Sequence, residues 1–410
     1  MNLLKKYEVS TEDHGTFEEI SEESIAVALE ELDERLEEIE EASNDVERLN
    51  TAAKEIELQD EIKESLTDEH EGELPESVQV GLQLARRATV ASLGIDPNSE
   101  EGEAAITEVT DSVSTEGEDD KQSFSKKLVE GIKKTFKVIF EKIIAGFQWL
   151  MDKFGRNSEK EVKETAANIK QIQLITKEIG EPEVMKLLEK KEALPGFTKE
   201  EDKTVYILPK TVYEEIDGKV QKIDVQKLMN SFNALTSTTR NFESLYIKGF
   251  DKTFGENSTS QEISKEISEF YSELDDVIYV PGEKPVPYKD FKGSFGFHTK
   301  DIEVSKSDFV KIVKGSLGRF IDEPKTGWNV DRLRYQLKNA KEEIKRINGL
   351  EDAAAGKMRS IYKSYSDLSK DVFSCAAMIV KALHGEYIFV KKYRQIVEQL
   401  RAERDAERAA

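Results

Sequence analysis

Residues 124–154 read FSKKLVEGIKKTFKVIFEKIIAGFQWLMDKF. Apolar residues recur here at every third or fourth position with lysines between them, which predicts an amphipathic helix with a basic side. Because the lysines interrupt every apolar run, the segment does not satisfy the pattern of a membrane-spanning helix, and we expect no transmembrane segment. The central residues of the apolar face are Leu128, Ile132, Phe136, Ile139, Ile143 and Phe147.

Three environments suit such a helix. It can belong to a folded core with its lysines in solvent, lie on a membrane surface, or bind a partner helix. Additional apolar residues, Val138, Phe140, Ile144 and Trp149, widen the apolar surface beyond a narrow stripe. This width favours the core helix.

The helix lies where the charge of the chain changes sign. The 410 residues carry a formal net charge of −23. Residues 1–120 hold 37 acidic and 8 basic residues, a net charge of −29, whereas residues 121–410 have a net charge of +6. Such asymmetry predicts an N-terminal part with a role of its own. It either solubilises the protein or shields a body that meets a polyanion.

The acidic part contains the pattern of a helix that pairs with another helix. Its apolar residues follow a spacing of four and three, as in a coiled coil. Glutamates flank this seam and would repel each other in a homodimer, so a basic partner helix fits better. We leave open whether that partner is the body of the same chain or another protein. The seam residues are Ile25, Leu29, Leu32, Leu36, Ile39 and Val46.

The patterns along the chain predict a mainly α (α+β) protein, with a helical N-terminal arm and a helical body that contains a small antiparallel β element in the middle. Asp217-Gly218 is typical of a hairpin turn. We divide the chain into an acidic helical leader at 1–95, an acidic linker at 96–122, the basic amphipathic helix and a helical region at 123–200, a mixed α/β region at 201–327, and C-terminal helices at 328–410.

Few residues suggest catalysis, metal binding or phosphate binding. The four histidines have no metal-binding spacing, and Cys375 lies in an apolar helical stretch, where a buried thiol is expected. The glycines at 315 and 318 lack the spacing of a phosphate loop and predict a turn. We therefore expect no catalytic residues, no metal, no cofactor and no enzymatic activity.

One basic cluster is a candidate for nucleic-acid contact. It lies on the predicted helix 330–347, where it could follow a phosphate backbone. Glu342 and Glu343 interrupt the cluster, so an ordinary solvated helix face is the alternative interpretation. The basic residues are Arg332, Arg334, Lys338, Lys341, Lys345 and Arg346.

A short motif precedes the change of charge. Ser114, Thr115 and Glu116 form a Ser-x-Glu sequence followed by Gly117, and a second such sequence begins at Ser99. An acidic helical leader, this motif and a net-basic helical body together resemble the internal head (inner body or prohead core) proteins of large tailed phages of the phiKZ type. Gly117 departs from the alanine usual after the cut in that family, so the Ser99 sequence stays an alternative.

The resemblance implies a virion function. In such a protein a prohead protease removes the leader as a propeptide during capsid maturation, and the mature protein stays in the virion interior after synthesis in the host cytoplasm. The implied partners are other capsid or core proteins and, nonspecifically, packaged DNA. The alternatives are a membrane-surface-binding protein that acts through helix 124–154, or a cytosolic coiled-coil adaptor.

Overall fold

The computed structural model describes residues 22–69, 74–109, 124–154, 157–194, 196–199, 201, 204–250, 260–291, 295–296, 300–322, 329–347 and 359–409. The structure is 78% helical, with small two-stranded antiparallel sheets, which confirms the predicted fold class. The helices are α1 (Glu22–Glu69), α2 (Glu76–Ser92), α3 (Glu100–Thr107), α4 (Phe124–Phe154), α5 (Asn157–Ile179), α6 (Glu181–Lys190), α7 (Val225–Phe250), α8 (Ser260–Ser272), α9 (Lys306–Asp322), α10 (Val330–Ile347) and α11 (Arg359–Ala409). The strands are β1 (Val205–Leu208), β2 (Tyr213–Ile216), β3 (Lys219–Lys222), β4 (Val277–Ile278), β5 (Val286–Pro287) and β6 (Ile302–Ser305).

Helix α11 organises the fold. Its 51 residues extend for about 76 Å at 1.5 Å per residue. Residues 361–383 belong to one hydrophobic core and residues 389–400 to a second one. The most apolar part of α11 is long and apolar enough to cross a membrane, but 78% of that window is buried in the fold. A core helix passes the same test, so the finding is weak evidence for a membrane span.

The first core forms where α4 runs parallel to the N-terminal half of α11. The rings of Phe136 and Tyr362 lie 5.3 Å apart, and those of Phe147 and Phe373 lie 5.2 Å apart. A Cβ atom at Gly146 would lie 2.5 Å from the Phe373 ring, so only glycine allows this approach. Helices α7, α8 and α10 also contribute to this core.

Helix α1 is the outer layer of the same core. It packs along α4 and also contacts α11, and the seam residues Leu32, Ile39 and Val46 are buried. The basic partner helix that the seam requires is therefore α4 of the same chain. Because this packing makes the leader and the body share one core, the proposed boundary at residues 95 and 96 does not separate two cores.

The second core surrounds the C-terminal half of α11. Helix α5 runs parallel to it, and α6, α9 and the β1–β6 sheet complete the core. The helical region predicted after the basic helix contains two helices, because Gly180, with φ 93°, separates α5 from α6. The turn predicted at 315–319 is wrong. That segment continues α9, whose Phe309 and Val313 are buried in this core.

The small β elements match the sequence in part. The β2–β3 hairpin turns at Asp217 and Gly218, both with positive φ, as predicted. Strand β4 pairs with β5, also antiparallel. Strand β1 pairs with β6, nearly 100 residues later, and β6 was not predicted.

The predicted linker is wrong for residues 96–109. They contain α3, because the Ser99 hydroxyl caps the helix by accepting a hydrogen bond from the Gly102 N–H at 3.1 Å. Ala105, Ile106 and Val109 are buried. The rest of the predicted linker, residues 110–122, lies outside the described residues.

Candidate functional site

The apolar face of α4 lies in the first core. Each of the six residues singled out from the sequence is 1% exposed or less. Helix α4 contacts α1, α10 and α11 along its length. Contact of this face with a membrane would therefore require α4 to separate from these helices. The six residues are Leu128, Ile132, Phe136, Ile139, Ile143 and Phe147.

A row of ion pairs crosses from α1 to α11. The basic residues of α11 are spaced four, seven and eleven residues apart, which places them on one helical face. Their partners occur in reverse order along α1, so the two helices run antiparallel. The pairs are Arg359 with Glu57, Lys363 with Glu47 at 3.3 Å, Lys370 with Glu40 at 2.7 Å, and Lys381 with Asp33.

Helix α4 takes part in the same interface. Lys142 pairs with Glu38, and the Arg35 guanidinium lies 5.3 Å from the centre of the Trp149 ring. These contacts place α1 antiparallel to α4 as well. We call the basic residues under α1, namely Lys142, Arg359, Lys363, Lys370 and Lys381, the covered basic row.

The ion pairs are asymmetric in exposure. The Lys370 side chain is 23% exposed and its partner Glu40 is 55% exposed. In the other four pairs the basic side chain is also less exposed than its acidic partner. Exposed pairs of this kind contribute about 0.2–1 kcal/mol each. The apolar seam therefore supplies most of the stability of the interface. The ion pairs neutralise basic residues of α4 and α11 that would otherwise give this surface of the body a positive charge. With α1 in place, each residue of the covered basic row is paired with an acidic residue of α1.

The chain between the leader and the body begins and ends at neighbouring points. The Phe124 N–H donates a hydrogen bond to Glu108 Oε2 at 2.7 Å, and both Val109 and Phe124 are buried. Residues 110–123 thus join two anchored ends that already touch. The candidate cleavage residues Ser114, Thr115, Glu116 and Gly117 lie outside the described residues.

The alternative cleavage sequence is part of the folded structure. Ser99 caps α3, and a Cβ atom at Gly102 would lie 2.2 Å from the Asp96 carbonyl oxygen. A protease would have to unfold this turn to bind residues 99–102 in an extended form. The folded turn at residues 96–102 therefore disfavours the Ser99 sequence as a cleavage site.

The basic cluster on α10 is divided between contacts and solvent. Arg334 is 3.4 Å from Glu159, Arg346 is 3.3 Å from Glu343, and Lys341 donates a hydrogen bond to Gln148. Lys163 and then Arg334 lower the pKa of the Glu159 carboxyl. Arg332, Lys338 and Lys345 are exposed. The structure places all six on one helix, and three of them contact neighbouring side chains.

Several buried polar groups lie between packed helices. His384 Nδ1 is 3.3 Å from Glu161 Oε1 where the two cores meet. Tyr288 donates a hydrogen bond to Asp371 Oδ2 at 3.0 Å, and desolvation raises the pKa of Asp371 to about 7. Cys375 is buried, as expected, and burial raises the pKa of its thiol. Within the described ranges, no group of three or more His, Cys, Asp or Glu side chains is arranged to hold a metal ion.

The sequence pattern identified the apolar seam and the basic helix, but it missed the covered basic row. The row had one detectable signal, the helical spacing of Arg359, Lys363, Lys370 and Lys381, which repeats on one face of α11. No protein-family model, curated protein or solved structure matches the chain. A function is therefore inferred from the geometry of the interface between leader and body.

Proposed function

We propose that this protein is a non-enzymatic structural component of a phage virion, an internal head protein made as a precursor with an acidic propeptide. The observation that carries the proposal is the pairing of leader carboxylates with the covered basic row. In the precursor, these carboxylates take the positions that phosphates of a nucleic acid would take on the body. The leader thus prevents early binding of polyanions.

Cleavage changes the charge of the body. Residues 1–116 carry 34 acidic and 8 basic residues, a net charge of −26, so residues 117–410 have a net charge of +3. A fragment of that charge is no longer repelled by packed DNA. Its lysines can then release counterions from the phosphate backbone.

Cleavage alone does not free the leader. A cut in residues 110–123 leaves the hydrogen bond between Phe124 and Glu108 and the buried seam of α1 in place. The cut protein is therefore a two-chain complex. For α1 to dissociate, DNA has to compete with its carboxylates for the covered basic row. Another capsid or core protein then has to cover the apolar surface of α4 that α1 had buried.

Mass spectrometry of the protein in purified particles tests the precursor proposal. We expect a new N-terminus within residues 110–123. A protein that keeps its original N-terminus in mature particles would contradict the proposal.

A cleavable variant tests the shielding step. The recognition sequence of a site-specific protease replaces residues 114–117, and DNA binding is measured before and after the cut. We expect binding to increase after the cut and to fall as salt rises, with a shallower salt dependence when Lys363, Lys370 and Lys381 are replaced by glutamine. The same variant left uncut is the control. Equal DNA affinity of the uncut protein and of the cut protein from which the leader has been displaced would refute shielding.

A further inference from the structure

A second surface of the leader has no partner in the described structure. It is a groove of about 580 Å³ between the C-terminal part of α1 and helix α2. Leu58 and Ile62 line it from α1, and Val78, Gly81 and Ala85 line it from α2. The groove lies away from the seam that packs on α4, so the shielding function does not use it.

The groove is preformed. Arg86 is buried between the two helices, where its Nε donates to Gln59 Oε1 and its Nη2 pairs with Asp60, both at 2.7 Å. Thr89 donates a hydrogen bond to Glu55 at 2.8 Å. These contacts fix the spacing of α1 and α2 without a ligand.

The shape of the groove suits a helix. Large aliphatic side chains on its walls are unusually exposed, with Leu58 56% and Ile62 40% exposed. Gly81, Ala85 and Ala88 form an exposed strip of small residues on α2, and a Cβ atom at Gly81 would have nothing within 4 Å. Small residues allow the backbone of a third helix to approach closely, while Leu58 and Ile62 supply apolar contacts.

The charge around the groove selects the partner. Residues 55–68 and 76–92 hold seven acidic and three basic residues. Glu57 pairs with Arg359 and Asp60 with Arg86, which leaves five acidic and two basic residues on this pair of helices. A second copy of this hairpin would bring like charges together. We propose that the groove binds an amphipathic helix of another protein, with an aliphatic stripe flanked by lysine or arginine. This inference does not require removal of the leader.

A designed peptide tests the groove on the full chain. The probe is a fluorescent amphipathic helix of about 18 residues with a leucine stripe and lysine flanks. A peptide with glutamate in place of lysine is its matched partner. We expect the lysine peptide to raise fluorescence anisotropy on binding and the glutamate peptide not to bind.

The decisive variant is Gly81→Leu. Nothing lies within 4 Å of the Cβ position of Gly81, so a leucine side chain there can extend into the groove. Leucine also favours a helix over glycine, so the variant should melt no lower than the original chain. We expect its affinity for the lysine peptide to fall about tenfold or more. Gly315→Leu is the control, because Gly315 is an exposed helical glycine far from the groove with nothing within 4 Å of its Cβ position, and it should leave the affinity unchanged.

Three results would overturn the inference. Equal affinity of the Gly81→Leu variant would show that the peptide is held by charge alone, outside the groove. A dimer of the original chain that becomes monomeric in Gly81→Leu would assign the groove to a second copy. Peptide binding seen only after deletion of residues 1–21 would assign it to the N-terminal segment of the chain itself.

Discussion

The two halves of α11 are covered by helices that differ in net charge. On the N-terminal half, α1 forms the outer layer with 19 acidic and 4 basic residues, and it meets the body through the covered basic row. On the C-terminal half, α5 has four acidic and four basic residues. It meets α11 through mixed polar contacts such as Tyr387 with Glu164. The difference shows that one helix can have an acidic cover on one half and a neutral cover on the other.

Truncation of one aromatic residue in each core tests whether the cores are independent. Phe147→Ala in the first core and Phe389→Ala in the second should each lower the free energy of unfolding by about 3–5 kcal/mol, because both residues are buried. Since α11 is continuous, urea denaturation followed by circular dichroism should show one transition for both variants. A biphasic curve for Phe147→Ala alone would show that the leader-covered core unfolds by itself.

Gly146→Ala tests the close contact of α4 with α11. The added methyl group would lie 2.5 Å from the Phe373 ring, so we expect a loss of about 1–3 kcal/mol in the free energy of unfolding. Gly315→Ala is the matched control, where the space is open and the helix gains up to about 1 kcal/mol. Thermal denaturation measures both, and equal effects would contradict the close packing.

Neutralisation of three leader carboxylates tests the ion pairs. Asp33→Asn, Glu40→Gln and Glu47→Gln together should lower the free energy of unfolding by about 1–2 kcal/mol, because the paired groups are largely exposed. The loss should shrink at high salt. As a control, the exposed residues Glu30, Glu34 and Glu37 are changed to glutamine, which should leave stability unchanged or raise it slightly by reducing repulsion.

Asp371 should make the stability of the first core dependent on pH. Its pKa is raised from 3.8 to about 7, first by desolvation, so between these values the folded state keeps a proton that the unfolded state releases. Stability therefore falls as pH rises from about 4 to about 7. The slope of stability against pH should not exceed about 1.4 kcal/mol per pH unit, because Asp371 binds a single proton. Asp371→Asn should flatten it in urea denaturation at several pH values, and an unchanged slope would assign the dependence to other groups.

Local patterns explain which parts of the fold the sequence predicted. Helix α10 matches its predicted range, and Asp217-Gly218 forms the predicted hairpin, because periodicity and turn chemistry act over a few residues. The sequence pattern missed helix α3 because its acidic residues resemble a solvated linker. The Ser99 cap stabilises this helix together with the burial of Ile106, which depends on the tertiary structure. Strand β6 was missed because its partner β1 is distant in sequence.

The sequence by itself determined the helical class, the apolar seam of α1, the basic apolar helix α4 and the change of charge between them, because these are properties of neighbouring residues. Only the tertiary structure decided that the seam and the basic helix belong to one core, and that the α1 carboxylates cover a basic row on α11. Those contacts join residues more than 300 positions apart. Their pairing depends on how whole helices pack, which no local pattern specifies.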